Sequence, residues 1–260
     1  MQGRTGLMQA FEICDDQGNS FEPEQASEAI AFFRSLQLPY VIYIIMPLAY
    51  HDVRQWNRHF RYFSQQVEVY RKPLQGVCET HADGWIICDI SNSNILVTEL
   101  DPVSAVLSDF GKAKKSLERD SMLIGPRAFQ APEIDGRTKY TNKADIWTFA
   151  LNVAETILPE MTGWPEWQRN APQTPLFMAR LFGKFDECAR SSTLAAALVK
   201  VLRGMLIFDP DWRMSAPEAL AAWPVIAPTN AQATVPVTAG SNLLSAKKAK
   251  TVTGDIQTGM

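Results

Sequence analysis

Residues 86 to 108 leave this chain few ways to fold. Ile86 to Val97 reads as a strand, a polar loop and a second strand, and Val97 to Ser108 as two short strands joined by a turn at Asp101-Pro102. Asp89 lies in the polar loop, Asn94 follows five residues on, and Asp109-Phe110-Gly111 comes directly after the last strand. One carboxylate of this set is suited to orient an attacking hydroxyl. The amide and the second carboxylate offer hard oxygen ligands to Mg²⁺ held against a triphosphate. The arrangement suits phosphoryl transfer. The bland alternative is that Asp89 and Asn94 cap a loop and Asp109 forms a turn.

The 260 residues are enough for one large domain or two lobes. The formal net charge of −3 gives no global pull toward nucleic acid or an anionic membrane, so neither is expected as a partner. Cys14, Cys78, Cys88 and Cys188 are scattered, without metal-ligand spacing or a disulfide framework, and read as reduced thiols of a cytoplasmic or nuclear protein. No basic start followed by an apolar core opens the chain, so no signal peptide is expected. The longest apolar run, Leu38 to Tyr50, is too short to span a bilayer and contains two prolines. It predicts a buried strand stopped by Pro47.

Elsewhere the pattern is mainly helical. A helix is predicted over Pro23 to Gln37, with Ala29, Phe32, Phe33 and Leu36 on one face. A short helix follows Asp52, which is placed as an N-cap, and a longer one covers Phe63 to His81. A long loop runs from Asp109 to Pro132. Helices are then expected over Lys143 to Leu158, Leu194 to Phe208 and Ser215 to Ala222, with a Trp- and Pro-rich loop after the first. From Pro228 the chain has too few large apolar groups to pack and is expected to be a disordered tail, with a basic patch at Lys247-Lys248-Ala249-Lys250.

From about Tyr43 to Trp223 the chain resembles the eukaryotic protein kinase family, chiefly its helical C-terminal lobe. Asp89 and Asn94 match the catalytic loop, Asp109-Phe110-Gly111 the metal-binding motif, and Ala131-Pro132-Glu133 the end of the activation segment. Lys143-Ala144-Asp145-Ile146-Trp147 matches the start of the central helix, and Arg213 the residue that pairs with the Glu of Ala-Pro-Glu. The resemblance implies an α+β kinase-like fold: a partial small lobe over 1–46, a helical large lobe over 47–227 and the tail over 228–260. It implies ATP and Mg²⁺, with Asp89 and Asn94 as catalytic residues and Asn94 and Asp109 as metal ligands. It also implies a hinge in which Met46 is the gatekeeper, Pro47 and Ala49 offer backbone groups to adenine, and Asp52 reaches a ribose hydroxyl. Asp145, at a helix start, is placed to cap that helix, and the resemblance implies that it also braces the catalytic loop. The partner is a protein substrate or, for an inactive member, a protein bound by a scaffold.

The chain also departs from the family pattern. Residues 1–50 hold glycine only at positions 3, 6 and 18, without a phosphate-covering loop, and the first lysine is Lys72. Glu28 falls near the place of the regulatory-helix Glu. The catalytic loop has Ile87 and Cys88 where the family has His and Arg, and Ser91 where Ser/Thr kinases carry a lysine. Loss of that Arg removes the charge partner of a phosphorylated activation loop. The expectation is kinase-like transfer to Ser or Thr, weakened by these losses, with a pseudokinase scaffold as the alternative.

Overall fold

A computed structural model of the chain describes residues 5–9, 12–15, 20, 22, 42–59, 61–115, 127–134, 141–164 and 174–226. The predicted helix over 23–37 with Glu28 and the tail from Pro228 with its basic patch lie outside these residues.

The first sheet is a two-stranded ribbon. Strand β1 (Glu12–Asp15) runs antiparallel to β2 (Ile42–Ile45), with Glu12 opposite Ile45. The apolar run therefore makes a strand, but a shorter and less covered one than its sequence predicts. Ile44 is 57% exposed, Met46 47% and Leu48 95%. A run of β-branched residues favours the extended backbone whether or not a second layer covers it, and a ribbon supplies little cover.

The second sheet carries the polar loop. Strand β3 (His51–Asp52) pairs with β5 (Ile95–Leu100), which pairs with β6 (Val103–Leu107), all antiparallel. Asp101-Pro102 forms the predicted turn between β5 and β6. Ile95, Val97, Ala105 and Leu107 are buried, as alternation on a half-covered sheet requires. A third pair joins β4 (Trp85–Ile86) to β7 (Lys114–Lys115).

Helix α1 (Val53–Trp56) starts on Asp52, whose side chain accepts from Gln55 N at 2.7 Å. The predicted helix over 63–81 is two helices, α2 (Phe63–Glu68) and α3 (Arg71–Ala82). Pro73 explains the break. In one continuous helix its ring would strike the Val69 carbonyl and leave it without a donor, whereas in the first turn of α3 its missing N–H costs nothing.

Helix α4 (Lys143–Ile157) is the central element, buried nearly all round, with Ile146, Trp147, Phe149 and Val153 inaccessible to water. Helix α5 (Pro175–Ala189) stands where sequence reading leaves a loop. Its start is readable after the fact: Thr174 caps Phe177 N, Pro175 takes the first turn, and Phe177, Met178, Leu181 and Phe185 fall on one buried face. Helices α6 (Thr193–Met205) and α7 (Ala216–Ala222) match their predicted positions, with Ser192 and Ser215 as N-caps.

Two long-range contacts join segments far apart in the sequence. The segment at Gly6 to Met8 lies along β6: Leu107 N donates to Gly6 O at 2.9 Å, Met8 N donates to Leu107 O at 2.8 Å, and Leu7 enters the core. Gly6 crosses α3 at Gly76, so closely that a Cβ on Gly6 would stand 2.2 Å from Lys72 O and from Gly76 N. Further along, Arg213 is wholly buried and holds Glu133 by a fork, Nη1 to Oε1 at 2.6 Å and Nη2 to Oε2 at 2.8 Å. Its Nε donates to Ile207 O and its Nη2 also to Phe208 O. This is the pair expected from sequence.

Gly76→Ala would set a Cβ 2.5 Å from Gly6 O, so it is expected to lower stability by about 1–3 kcal/mol and to speed amide exchange at Met8 and Leu107. Unchanged exchange at those amides would show that the segment does not dock there. Arg213→Met takes the buried guanidinium away from the largely covered Glu133 carboxylate and is expected to cost about 3–5 kcal/mol by urea denaturation. A loss under about 1 kcal/mol would mean that the fork behaves as a surface pair.

Candidate active site

The polar loop is fixed from below by two side chains of α4. Asp145 is buried, with its Oδ2 accepting from Ile87 N at 2.8 Å and its Oδ1 from Cys88 N at 3.0 Å. His81, at the end of α3, closes the same carboxylate at 2.8 Å. Two turns on, Asn152 takes Asn92 N on its Oδ1 at 2.8 Å and donates to Ile90 O at 3.3 Å. Residues 87, 88, 90 and 92 are thus held, and Asp89 sits between the two clamps. Asp145 braces the loop and does not cap its helix, whose N-cap position is Asn142.

A second tier supports Asn92. Its Nδ2 donates to Glu155 Oε2 at 2.8 Å and to Asn152 O at 3.1 Å, and its Oδ1 meets the Tyr70 hydroxyl. Tyr70 also reaches Thr156 Oγ1, and burial raises its pKa, so the hydroxyl stays protonated. Burial likewise raises the Glu155 carboxyl, opposed by the Asn92 hydrogen bond and the Arg54 charge. Sequence reading passed over Tyr70, Asn92 and Asn152. The available signal was an Asn inside the apolar run of α4, since a buried amide must find partners.

Among the described residues two that are not glycine adopt the left-handed region, Cys88 at φ 67° and Asp109 at φ 59°. Such positions cost about 1–3 kcal/mol and persist where the surroundings fix them, often at functional sites. Cys88 is fixed by Asp145. Its thiol is buried, as expected of a small hydrophobe. Burial and Glu79 push the Cys78 thiol to about 11, and burial raises Cys188, so neither is an activated nucleophile.

The structure brings Asp89 and Asn94 together. Asn94 Nδ2 donates to Asp89 O at 2.9 Å and stands 3.4 Å from Asp89 Oδ2, which leaves Asn94 Oδ1 as an oxygen donor. Asp109 joins them through the backbone: Ser108 N and Oγ both donate to Asn94 O at 2.8 Å. The Asp109 carboxylate makes its hydrogen bond within its own turn, accepting from Gly111 N at 3.2 Å, so it is a turn former as well as a site candidate. The turn returns to Asp89 at Lys112, whose Nζ lies 3.0 Å from Asp89 Oδ2. Ser91, in the place of the family lysine, is buried and pairs with Ser93 Oγ at 2.9 Å.

Met46, Pro47 and Ala49 lie on the link from β2 to β3. The link lands beside the loop: Tyr50 N donates to Val97 O at 2.9 Å, Asp52 stands opposite Leu96, and Arg54 N donates to Asn92 O at 3.3 Å. Asp52 spends Oδ1 on its helix cap. The donor set fits Mg²⁺, an amide oxygen and a carboxylate on adjoining turns being hard ligands. Among the described residues no three His, Cys, Asp or Glu side chains gather, so a metal here would need further oxygens from phosphate. Among these residues, too, no helix is long and apolar enough to cross a membrane.

Known proteins are similar to this chain. The serine/threonine-protein kinase STE20 of Saccharomyces cerevisiae is 30% identical over 156 residues, covering 58% of this chain and 16% of that protein. Mitogen-activated protein kinase 4 of Arabidopsis thaliana is 26% identical over 228 residues, covering 73% of this chain and 56% of its own length. The chain thus spans little more than half of one relative and a small part of the other. A chain of the yeast RNA Pol II CTD kinase CTDK-1 complex superposes with a TM-score of 0.56 at 18% identity, over 83% of this chain and 74% of that one, a likeness of fold. The family model for the protein kinase domain matches residues 23–223, well over half of the sequence, and the chain belongs to the protein kinase family.

Proposed function

We infer that this chain transfers the γ-phosphate of ATP to a Ser or Thr hydroxyl of a protein, slowly. In the balanced step the hydroxyl oxygen bonds the γ-phosphorus while the bond to the bridging oxygen breaks. ADP leaves with that electron pair, and the hydroxyl proton departs by way of Asp89. The observation that carries this reading is the Asp89–Asn94 contact on a loop clamped from both sides, with Asp109 on the adjoining turn. Asp89 orients the hydroxyl. Asn94 and Asp109 hold Mg²⁺, which supplies positive charge against the phosphates. Met46, Pro47 and Ala49 take the adenine, and Asp52 has its second carboxylate oxygen for ribose. Ser or Thr as acceptor is supported by the relative STE20, which is named a serine/threonine-protein kinase. The four free cysteines suit a reducing compartment, cytoplasm or nucleus.

The rate is low because catalysis of this kind is mostly electrostatic. The catalytic loop carries Cys88 and Ser91 where the family has an arginine and a lysine. Removing one preorganised donor from an active site costs about 10²–10³ in rate. The same losses favour the second reading, a pseudokinase that binds a partner protein through its helical lobe.

Radiolabelled transfer from Mg-ATP to a generic protein substrate, run beside thermal shift, separates the two. Asp89→Asn and Asp109→Ala are each expected to cut transfer by about 10²-fold or more. Asp109→Ala should also abolish the Mg²⁺-dependent part of the thermal shift. Nucleotide binding without any transfer above the Asp89→Asn background would overturn the enzyme reading and favour the scaffold.

A further inference from the structure

Lys112 is the cation that sequence reading missed. It follows Asp109-Phe110-Gly111 directly, and its Nζ rests on Asp89 Oδ2 at 3.0 Å. Asp89 is only 15% exposed in its side chain, whereas Lys112 is 61% exposed. The ammonium thus approaches from the open side, where an incoming hydroxyl and phosphate would also arrive. Ser91 points a neutral hydroxyl at Ser93 and brings no charge to this spot.

We propose that Lys112 supplies the positive charge that Ser91 lacks, releasing Asp89 and contacting the γ-phosphate when Mg-ATP is bound. The proposal rests on the phosphoryl-transfer reading above. Water reaches the exposed Lys112 ammonium and screens its side of the pair, so the contact is held less tightly than a buried one. A γ-phosphate carries more negative charge than one carboxylate, and it offers three acceptor oxygens to the three donors of an ammonium. The four-carbon stem of lysine swings without backbone movement. The transition state spreads charge over the equatorial oxygens of the transferring group, so a cation beside Asp89 meets that charge as it develops. Lys112 donates no proton in this role; it stays an ammonium and Asp89 handles the hydroxyl. The exchange also frees Asp89 Oδ2 at the moment phosphate arrives, which couples nucleotide binding to exposure of the acceptor.

The experiment compares Mg-ATP and Mg-ADP on the full chain by calorimetry, beside the transfer assay. Lys112→Met is expected to weaken Mg-ATP about tenfold while Mg-ADP changes less than twofold, because ADP lacks the γ-phosphate. Transfer is expected to fall about 10²-fold. Ser91→Lys placed in the Lys112→Met background should restore most of the ATP preference, and Lys112→Arg part of it. An unchanged ATP-to-ADP ratio in Lys112→Met overturns the proposal. So does a rise in transfer, which would make Lys112 a plug on Asp89. Should the wild-type chain bind both nucleotides and transfer nothing, the enzyme reading fails on its own, and the ATP-to-ADP ratio still decides Lys112. Should it bind neither, both fall together.

Discussion

The Asp145 carboxylate is the constraint on which the rest of this molecule depends. It lies inside the protein and accepts two backbone hydrogen bonds and one from His81. A charged acceptor makes hydrogen bonds of about 1.5–3 kcal/mol each, whereas the same group buried without partners would be strongly destabilising. The loop therefore cannot leave Asp145 without stranding it. That obligation holds Cys88 in a backbone region a cysteine seldom adopts. Because Cys88 turns there, Asp89 emerges beside Asn94 and not along the strand. Asn152 repeats the device two turns later on the same helix, so the buried helix α4 sets the position of the loop at both ends.

This makes the scaffold independent of the cations. The clamps from α4 and its neighbours join the loop backbone and the Asn92 amide to Asp145, Asn152, Tyr70 and Glu155. None uses the side chain of Ile87, Cys88 or Ser91. Replacing charged residues at those positions removes electrostatic power and leaves these clamps in place. A chain of this kind can keep a well-formed acceptor site while its chemistry slows by orders of magnitude. Shape alone is therefore a poor guide to turnover, and the charge around Asp89 is a better one.

The readable parts of the sequence were those in which local pattern and tertiary need agree. The β5–β6 hairpin, α4, α6 and α7 have clear periods and marked ends, and the structure has them in place. The Asp89, Asn94 and Asp109 spacing led to a loop and turn that do adjoin. Misreadings arose where one residue overrides a pattern. Pro73 divides an otherwise continuous helical period. The Leu38 to Tyr50 run has the composition of a core strand, yet burial depends on what stands opposite, which composition does not encode. Helix α5 was lost among prolines, although one of them, Pro175, sits where a helix welcomes it. The Gly6–Gly76 crossing joins residues seventy apart, and no local rule announces that a glycine is needed for a neighbour's backbone.

Lys112 was hidden for a different reason. A motif describes positions along the chain, and electrostatics acts through space. The family pattern asks for a lysine two residues after the catalytic Asp, and at that position this chain answers with Ser91. The turn after Asp109 passes back over the loop, so a lysine twenty-three residues from Asp89 arrives within 3.0 Å of it. Nothing in the chemistry of a developing phosphoryl charge distinguishes which segment delivers the ammonium. It requires only a cation on the open side of the carboxylate, reached by a stem long enough to move. A search for missing charges by sequence position therefore counts losses accurately and overlooks replacements, and the balance at this site has to be struck around Asp89 in three dimensions.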